Sequence, residues 1–228
     1  MTSNAMTNRQ SCDALRGAAT SKIALLRHAQ TDLHGRFCGH SDPNLSIQGR
    51  QRIPSIIQSL SRMSPKEIYS SDLRRAIQTA EPIAKHFGLD YTPSRGFREM
   101  NFGSWEGLTW KEVELQYPED ARAWAELFPH HRPPGGESFS ELQTRVSRQL
   151  EQLATTAELG CTLVITHAGF IRTAVAWVLR MPDESISRIG QNYGAVTILE
   201  KTRQQWVVAA LNVTASCLAS GASKEDRP

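Results

Sequence analysis

The sequence has few of the features that mark a secreted, membrane or nucleic-acid-binding protein. Its 228 residues include four cysteines, which lack the close spacing of a disulfide framework or a zinc site. No apolar run reaches the length of a membrane span, and the N-terminus has no apolar segment typical of a signal peptide. The formal net charge of +3 is too small to indicate a nucleic-acid partner. We therefore expect a cytoplasmic protein with no nucleic-acid or membrane partner.

Three common catalytic signatures are also missing. The sequence contains neither a glycine-rich phosphate loop nor a serine in a glycine-flanked turn after a strand. Histidines and aspartates occur together between His28 and Asp42, but no helix places two of the histidines on one face, and Arg27 adjoins His28. We therefore expect no metal site and no cofactor.

The chain length suits one sizeable α/β domain, which we expect to span residues 21–213. Residues 1–20 are predicted to be a disordered extension, and residues 214–228 a frayed tail. The predicted strands are 23–26, 66–70, 89–92, 161–165, 196–199 and 206–211. Five helical regions are predicted. The first runs from Ser46 to Leu60 and is kinked or delayed by Pro54, and the second is capped by Ser71 and ends at Gly88. The others are one or two helices broken at Pro118, one that begins at the Ser138–Glu141 capping box, and one from Phe170 to Leu179.

Two of the predicted strands end in a histidine. The run 23–26 is followed by Arg27 and His28, and the run 161–165 is followed by Thr166 and His167. If these strands are parallel neighbours, both histidines lie at the edge of the sheet where α/β proteins collect their chemistry. One imidazole can then attack a bound anion while the other groups absorb its negative charge.

A cation and a carboxylate complete the pattern. Arg74 and Arg75 lie in the first turn of a predicted helix, where arginine opposes the helix dipole unless an anion lies in front of it. A solvated arginine is an equally good interpretation of each one taken singly. Glu99 lies in a loop rich in aromatic residues and glycine, and the alternative there is a surface carboxylate paired with Arg98.

Five segments, in this order, resemble the histidine phosphatase superfamily, whose fold is phosphoglycerate mutase-like. They are Leu25–Thr31, Phe37–Leu45, Ser70–Ala80, Phe97–Gly107 and Thr166–Gly169, and the resemblance covers most of residues 22–212. It implies a three-layer α/β/α sandwich with a largely parallel central sheet.

The resemblance also implies roles for particular residues. His28 would be the nucleophile that becomes phosphorylated, Arg27, Arg75 and His167 would hold the phosphoryl oxygens, and Glu99 would donate and accept the proton. The residues expected to line the substrate pocket are His34, Cys38, Gly39, Ala168 and Gly169.

The sequence departs from the family pattern at three positions. Ala29 and Gln30 replace the usual glycine and glutamate, and His34 replaces a frequent asparagine. Because a histidine ring gains or loses a proton near neutral pH, we expect phosphate binding to depend more on pH than is usual for the family.

The short connection Pro133–Leu142 is most similar to small bacterial phosphatases, including α-ribazole phosphatase. The resemblance thus implies a metal-independent phosphomonoesterase that acts on a small phosphorylated metabolite, with α-ribazole 5'-phosphate as a candidate. Two alternatives stay open, a phosphoglycerate mutase and a phosphometabolite-binding protein without turnover. A homodimer also stays open.

Overall fold

Six strands form one mixed sheet. They are β1 (Ala19–Arg27), β2 (Pro65–Ser71), β3 (Tyr91–Ser94), β4 (Cys161–Thr166), β5 (Val196–Thr202) and β6 (Trp206–Val213), in the spatial order β3-β2-β4-β1-β5-β6. The structure is a computed structural model that describes residues 19–61, 63–156 and 160–214. Strands β3, β2, β4 and β1 are parallel, whereas β5 and β6 are antiparallel additions at one edge.

Helices cover both faces of the sheet. They are α1 (Ile47–Leu60), α2 (Arg74–Phe87), α3 (Trp110–Gln116), α4 (Pro118–Leu127), α5 (Phe139–Thr156) and α6 (Ala168–Leu179), with short 3-10 helices at Arg95–Phe97, Gly103–Trp105 and Asp183–Arg188. None of the helices in the described residues is long and apolar enough to cross a membrane.

Side-chain alternation in the central strand separates the two cores. Ala24 and Leu26 of β1 pack with α1 and α2 on one face, and Ile23 and Leu25 pack with α5 and α6 on the other. Because a strand points successive side chains to opposite faces, an uninterrupted apolar run is what a doubly covered strand requires. The predicted three-layer α/β/α fold with a largely parallel sheet is confirmed.

All the predicted strands and helices are present, and several of their ends lie where the sequence predicts them. Ser46 caps α1 by accepting from the Gly49 N–H, and α1 begins at Ile47, so a start delayed by Pro54 is wrong. Ser138 and Glu141 exchange the two hydrogen bonds of a capping box. Pro118 begins a second helix rather than interrupting one, because proline is tolerated where no N–H is needed.

Three predictions about local structure need correction. Ser71 is the last residue of β2 and Leu73 is the N-cap of α2, because the Ser71 backbone stays in the sheet while its hydroxyl accepts from the Leu73 N–H. Strand β3 begins at Tyr91, later than predicted. Strand β1 begins at Ala19, ahead of the expected domain start, and the remainder of the predicted extension lies outside the described residues, as does the predicted tail beyond residue 214.

Candidate active site

Two histidines meet where the central parallel strands end. Arg27 at the end of β1 pairs in register with Thr166 at the end of β4. The His28 N–H then donates to the Thr166 carbonyl over 2.9 Å, which ties the strand ends together. The ring centroids of His28 and His167 lie 5.0 Å apart. The prediction that the two strands are parallel neighbours is therefore confirmed, and the histidines are close enough to contact one small ligand.

Hydrogen bonds fix which nitrogen of His28 carries the proton. The Ala29 carbonyl lies 2.7 Å from Nδ1 and can only accept, so Nδ1 carries the hydrogen. The Arg75 Nε–H can only donate, and it lies 3.3 Å from Nε2. The lone pair of the neutral ring is therefore on Nε2. An imidazole in this form is a nucleophile.

Burial and nearby cations keep both imidazoles neutral around neutral pH. Burial lowers the pKa of His28 well below its usual range, and the charges of Arg75 and Arg27 lower it further. Burial, together with Arg75 and His28, lowers the pKa of His167 in the same way. An anion bound between the rings would oppose these shifts, because it favours the protonated form of each ring.

Arg75 is the fully buried cation of the site. It lies in the first turn of α2 with 0% of its surface exposed. Its Nη atoms donate to the carbonyls of Ser41 and Gly39 over 2.7 Å and to that of Cys38 over 3.1 Å. Carbonyl oxygens carry only partial charge, so these bonds orient the guanidinium without neutralising it. The interpretation of Arg75 as a solvated residue is wrong.

Glu106 organises the loop that holds Arg75. Its carboxylate accepts five hydrogen bonds of 2.6 to 3.1 Å, from the backbone N–H groups of Gly39, His40, Ser41 and Phe102 and from the Ser41 hydroxyl. Burial opposes its charge, but these donors together lower the pKa of Glu106. Glu106 lies in the Phe97–Gly107 segment, where no sequence pattern indicated this role.

Arg27 supplies a second cation beside His28. One of its Nη atoms donates to the Gln191 carbonyl over 2.6 Å, and its guanidinium carbon lies 3.6 Å from the centroid of the Tyr193 ring. Its Nε is buried without a hydrogen-bond partner in the described part of the chain. Burial lowers the pKa of Arg27, yet a guanidinium stays charged at neutral pH. An N–H of this cation is thus available to an anion.

His167 is buried with both ring nitrogens unpartnered. It is the N-cap of α6 and is 0% exposed, and neither Nδ1 nor Nε2 has a hydrogen-bond partner among the described residues. Buried polar atoms without partners are rare because each carries a desolvation cost. An oxyanion at the α6 N-terminus would satisfy one of these nitrogens and would also meet the positive end of the helix dipole.

Glu99 is a buried carboxylate rather than a surface one. It is 8% exposed, and its oxygens accept from the Gly169 N–H over 2.8 Å and from the Met100 N–H over 3.0 Å. A side chain at Gly169 would collide with this carboxylate, so the glycine permits the close approach. Arg98 pairs instead with Asp72 through two bonds of 2.6 Å. The alternative Glu99–Arg98 pair is therefore wrong.

A cavity of about 260 Å³ is lined by Arg27, His28 and Glu99. Arg75 and His167 do not line it, but both contact His28. Of the expected pocket residues, His34 and Cys38 line this cavity, whereas Ala168 and Gly169 line a second cavity beside it. Gly39 lines neither cavity, because its N–H is bonded to Glu106 and its carbonyl to Arg75. Sequence analysis missed Tyr193, which lines the first cavity from a loop without a recognisable motif.

The described residues contain no group of three or more histidine, cysteine, aspartate or glutamate side chains arranged to hold a metal ion. The charges that line the first cavity are instead the cations Arg27 and Arg36 and the carboxylate Glu99. The groups of this site suit phosphoryl transfer from an ester. His28 is a nucleophilic imidazole, Arg27 and Arg75 are cations, His167 is a second imidazole, and Glu99 is a carboxylate.

Comparisons with known proteins agree with this chemistry. The sequence model of the histidine phosphatase superfamily (branch 1) matches residues 23–214. Phosphoserine phosphatase 1 of Hydrogenobacter thermophilus is 31% identical over 196 residues, which cover 85% of this chain and 92% of that protein. Glucosyl-3-phosphoglycerate phosphatase of Mycobacterium tuberculosis is 33% identical over 180 residues, which cover 74% of this chain and 80% of that one.

A solved structure with the same fold is that of the α-ribazole phosphatase from Shigella flexneri. Its TM-score to this chain is 0.77, at 24% identity, and the match covers 84% of this chain and 96% of the other. At that identity the likeness supports the fold and carries no information on the substrate.

Proposed function

This chain belongs to the histidine phosphatase superfamily, and we propose from that premise that it hydrolyses a small phosphate monoester through a phosphohistidine on His28, without a metal. The observation that carries the proposal is the neutral His28 ring at the first cavity. Its Nε2 lone pair faces Arg75, and the buried Nε of Arg27, which lines the same cavity, has no hydrogen-bond partner among the described residues.

In the first step, the His28 Nε2 lone pair forms a bond to phosphorus while the bond to the ester oxygen breaks. Glu99 protonates that leaving oxygen, having taken the proton from the ester monoanion or from solvent. Positive charge develops on the His28 ring, and the Nδ1 bond to the Ala29 carbonyl stabilises it. Arg27, Arg75 and His167 donate hydrogen bonds to the phosphoryl oxygens. These bonds stabilise the negative charge that a metal ion stabilises in other phosphotransfer enzymes.

In the second step, a water molecule forms a bond to phosphorus while the bond to Nε2 breaks. Glu99, now a carboxylate, accepts the proton of that water, so the same residue serves both steps. Inorganic phosphate leaves, and His28 returns to its neutral form. Ala125, Glu184 and Ser187 are exposed at the rim of the adjoining cavity, so water can reach the site, which favours hydrolysis over the retention of a phosphoryl group that a mutase requires.

The proposal is tested by steady-state release of phosphate from a panel that contains phosphoserine, phenyl phosphate, α-ribazole 5'-phosphate and 3-phosphoglycerate. We expect turnover of at least one ester to survive dialysis against a chelator, and His28→Ala to lower it by roughly a factor of 10³ or more. Unchanged circular dichroism would show that the variant folds.

Three outcomes would contradict the proposal. Turnover that depends on added zinc, magnesium or manganese would make a metal the electrophile. Fast interconversion of 2- and 3-phosphoglycerate would identify a mutase, and binding of esters without either reaction would identify a binding protein.

A further inference from the structure

A second cavity of about 580 Å³ continues from the first one past Glu99. Phe37, Glu99 and Phe102 line both cavities, so the carboxylate lies at their junction. The walls of the second cavity, which we call the alcohol cleft, are mostly apolar; they include Phe102, Trp124, Phe128, Phe139, Leu142 and Ile186. Arg172 and Glu184 are the charged residues that line it besides Glu99.

We propose that the alcohol cleft binds the alcohol part of the ester and selects an alcohol that bears both an apolar ring and an anionic group. This inference rests on the proposed function. If Glu99 protonates the leaving oxygen, that oxygen must lie within hydrogen-bond reach of its carboxylate. The phosphoryl group then occupies the first cavity with His28, and the carbon atoms beyond the oxygen enter the cleft on the far side of Glu99.

The apolar wall sets the size and character of the alcohol. The ring centroids of Trp124 and Phe128 lie 5.6 Å apart, and those of Phe128 and Phe139 lie 5.0 Å apart, so the three rings form one continuous surface. Phe139 and Leu142 lie on α5, and their burial in the hydrophobic core fixes their positions. A short polar alcohol such as serine would leave this surface in water, whereas an aromatic or other apolar ring would cover it.

Arg172 sets the charge of the alcohol. It lies on α6 one turn beyond Gly169, and its Nε is buried without a hydrogen-bond partner in the part of the chain that the structure describes. No ion pair joins it to Glu184 among those residues, so its charge is not neutralised across the cleft. A buried N–H without a partner is costly, and a carboxylate on the ligand would supply the missing acceptor.

The charge is tested with phenyl phosphate and 3-carboxyphenyl phosphate, whose leaving groups have similar acidity. We expect the wild-type enzyme to prefer the carboxylated ester by roughly tenfold in kcat/KM, and Arg172→Gln to abolish that preference. Arg36→Gln is the matched control, because Arg36 lines the first cavity instead, and it should keep the preference. Loss of the preference in Arg36→Gln but not in Arg172→Gln would place the alcohol in the first cavity and overturn the proposal.

The apolar wall is tested with 1-naphthyl phosphate and phosphoserine. Trp124→Ala should lower kcat/KM for the naphthyl ester roughly tenfold more than for phosphoserine, whereas Trp110→Ala, on the neighbouring helix and outside the cleft, should change both alike. If Trp124→Ala does not fold, Phe128→Leu keeps most of the packing and should shift the ratio in the same direction. Equal losses on both esters would overturn the proposal.

The two proposals fail in different ways. If no ester is hydrolysed by the wild-type enzyme, the proposed function is wrong. If esters are hydrolysed through His28 but the enzyme prefers phosphoserine, or shows no effect of Arg172 on the carboxylate, only the assignment of the alcohol cleft is wrong.

Discussion

The alcohol cleft differs in the kind of groups it contains from the phosphate cavity, by which we mean the first cavity together with Arg75 and His167, which contact His28. In the phosphate cavity, the protein itself fixes the orientation of the working groups, as the three carbonyl bonds of Arg75 and the Ala29 bond of His28 illustrate. The alcohol cleft has apolar walls and one arginine whose buried Nε lacks a hydrogen-bond partner among the described residues. Electrostatic preorganisation lowers the barrier for any ester, whereas an apolar wall discriminates by size and shape. If the two proposals hold, reaction and selectivity are separable in this protein, and Glu99 lies at the boundary between them.

The strongest test of this boundary is Glu99→Gln, which keeps the shape of the residue and removes its proton. We expect turnover of alkyl phosphates to fall by roughly 10²–10⁴-fold, because a poor leaving group depends on the acid. Turnover of p-nitrophenyl phosphate should fall much less, because its leaving group needs little protonation. Equal losses on the two esters in steady-state assays would mean that Glu99 only shapes the junction.

A smaller effect is expected from Glu106→Gln, which tests whether the phosphate cavity depends on its supporting loop. The amide would turn an NH₂ group toward backbone N–H groups from which the carboxylate now accepts hydrogen bonds. Because these N–H groups belong to the loop that holds Arg75, the carbonyls that orient Arg75 should shift. We expect kcat to fall by roughly 10–10²-fold for every ester, with little change in the preference among alcohols. This uniform loss would distinguish the phosphate cavity from the cleft.

Glu141→Gln is the control for that variant. Glu141 is also a carboxylate that accepts from backbone, at the start of α5, but it touches neither cavity. It should cost about 1 kcal/mol of folding stability, as lost caps do, without a matching loss of kcat. If both variants lower kcat to the same extent, the effect of Glu106 is general destabilisation.

The smallest effect expected is on the pH dependence of stability, and its main sources are His28 and His167. Burial also lowers the pKa of His40, though less, so this residue adds a smaller part. The pKa values of His28 and His167 are lowered on folding, so the unfolded chain binds more protons and the free energy of unfolding rises with pH. The loss should begin as pH falls below about 6.5, the ordinary histidine value, and should reach about 1 kcal/mol per histidine near pH 5.5.

Denaturant unfolding at the two ends of that pH range checks this prediction. His167→Gln should weaken the pH dependence, whereas substitution of the exposed His86 on α2 should leave it unchanged. Added phosphate should also weaken it, because the bound anion favours the protonated rings. A wild-type protein that is equally stable at both pH values would show that the two rings are not held neutral by the fold.

The difference between the two cavities also explains which parts of the site could be predicted from the sequence. The phosphate cavity lies at strand ends, where short apolar runs that stop at Arg27, His28 and His167 are recognisable without coordinates. Position in the first turn of α2 did not distinguish Arg74 from Arg75, and only the family resemblance pointed to Arg75. The packing of α2 buries Arg75, while Arg74 is exposed and pairs with Asp42.

The alcohol cleft could not be predicted in this way. Its walls come from α4, α5, α6 and the 3-10 helix Asp183–Arg188, which are distant in sequence and carry ordinary apolar periodicity. A tryptophan such as Trp124 gives the same pattern in a core as in a cleft. The position of Gly39, which lines neither cavity, was unpredictable for a related reason. Its motif marks a tight turn but does not reveal that its N–H donates to Glu106.

In the proposed reaction, the phosphoryl group is transferred twice, first to His28 and then to water. The most direct measurement is the stereochemical course at phosphorus when an isotopically chiral phosphoryl group passes from phenyl phosphate to an added diol that replaces water. Two successive in-line displacements, each with inversion, predict net retention of configuration, whether or not the intermediate accumulates. Net inversion would mean a single direct displacement, and it would contradict a phosphohistidine on His28.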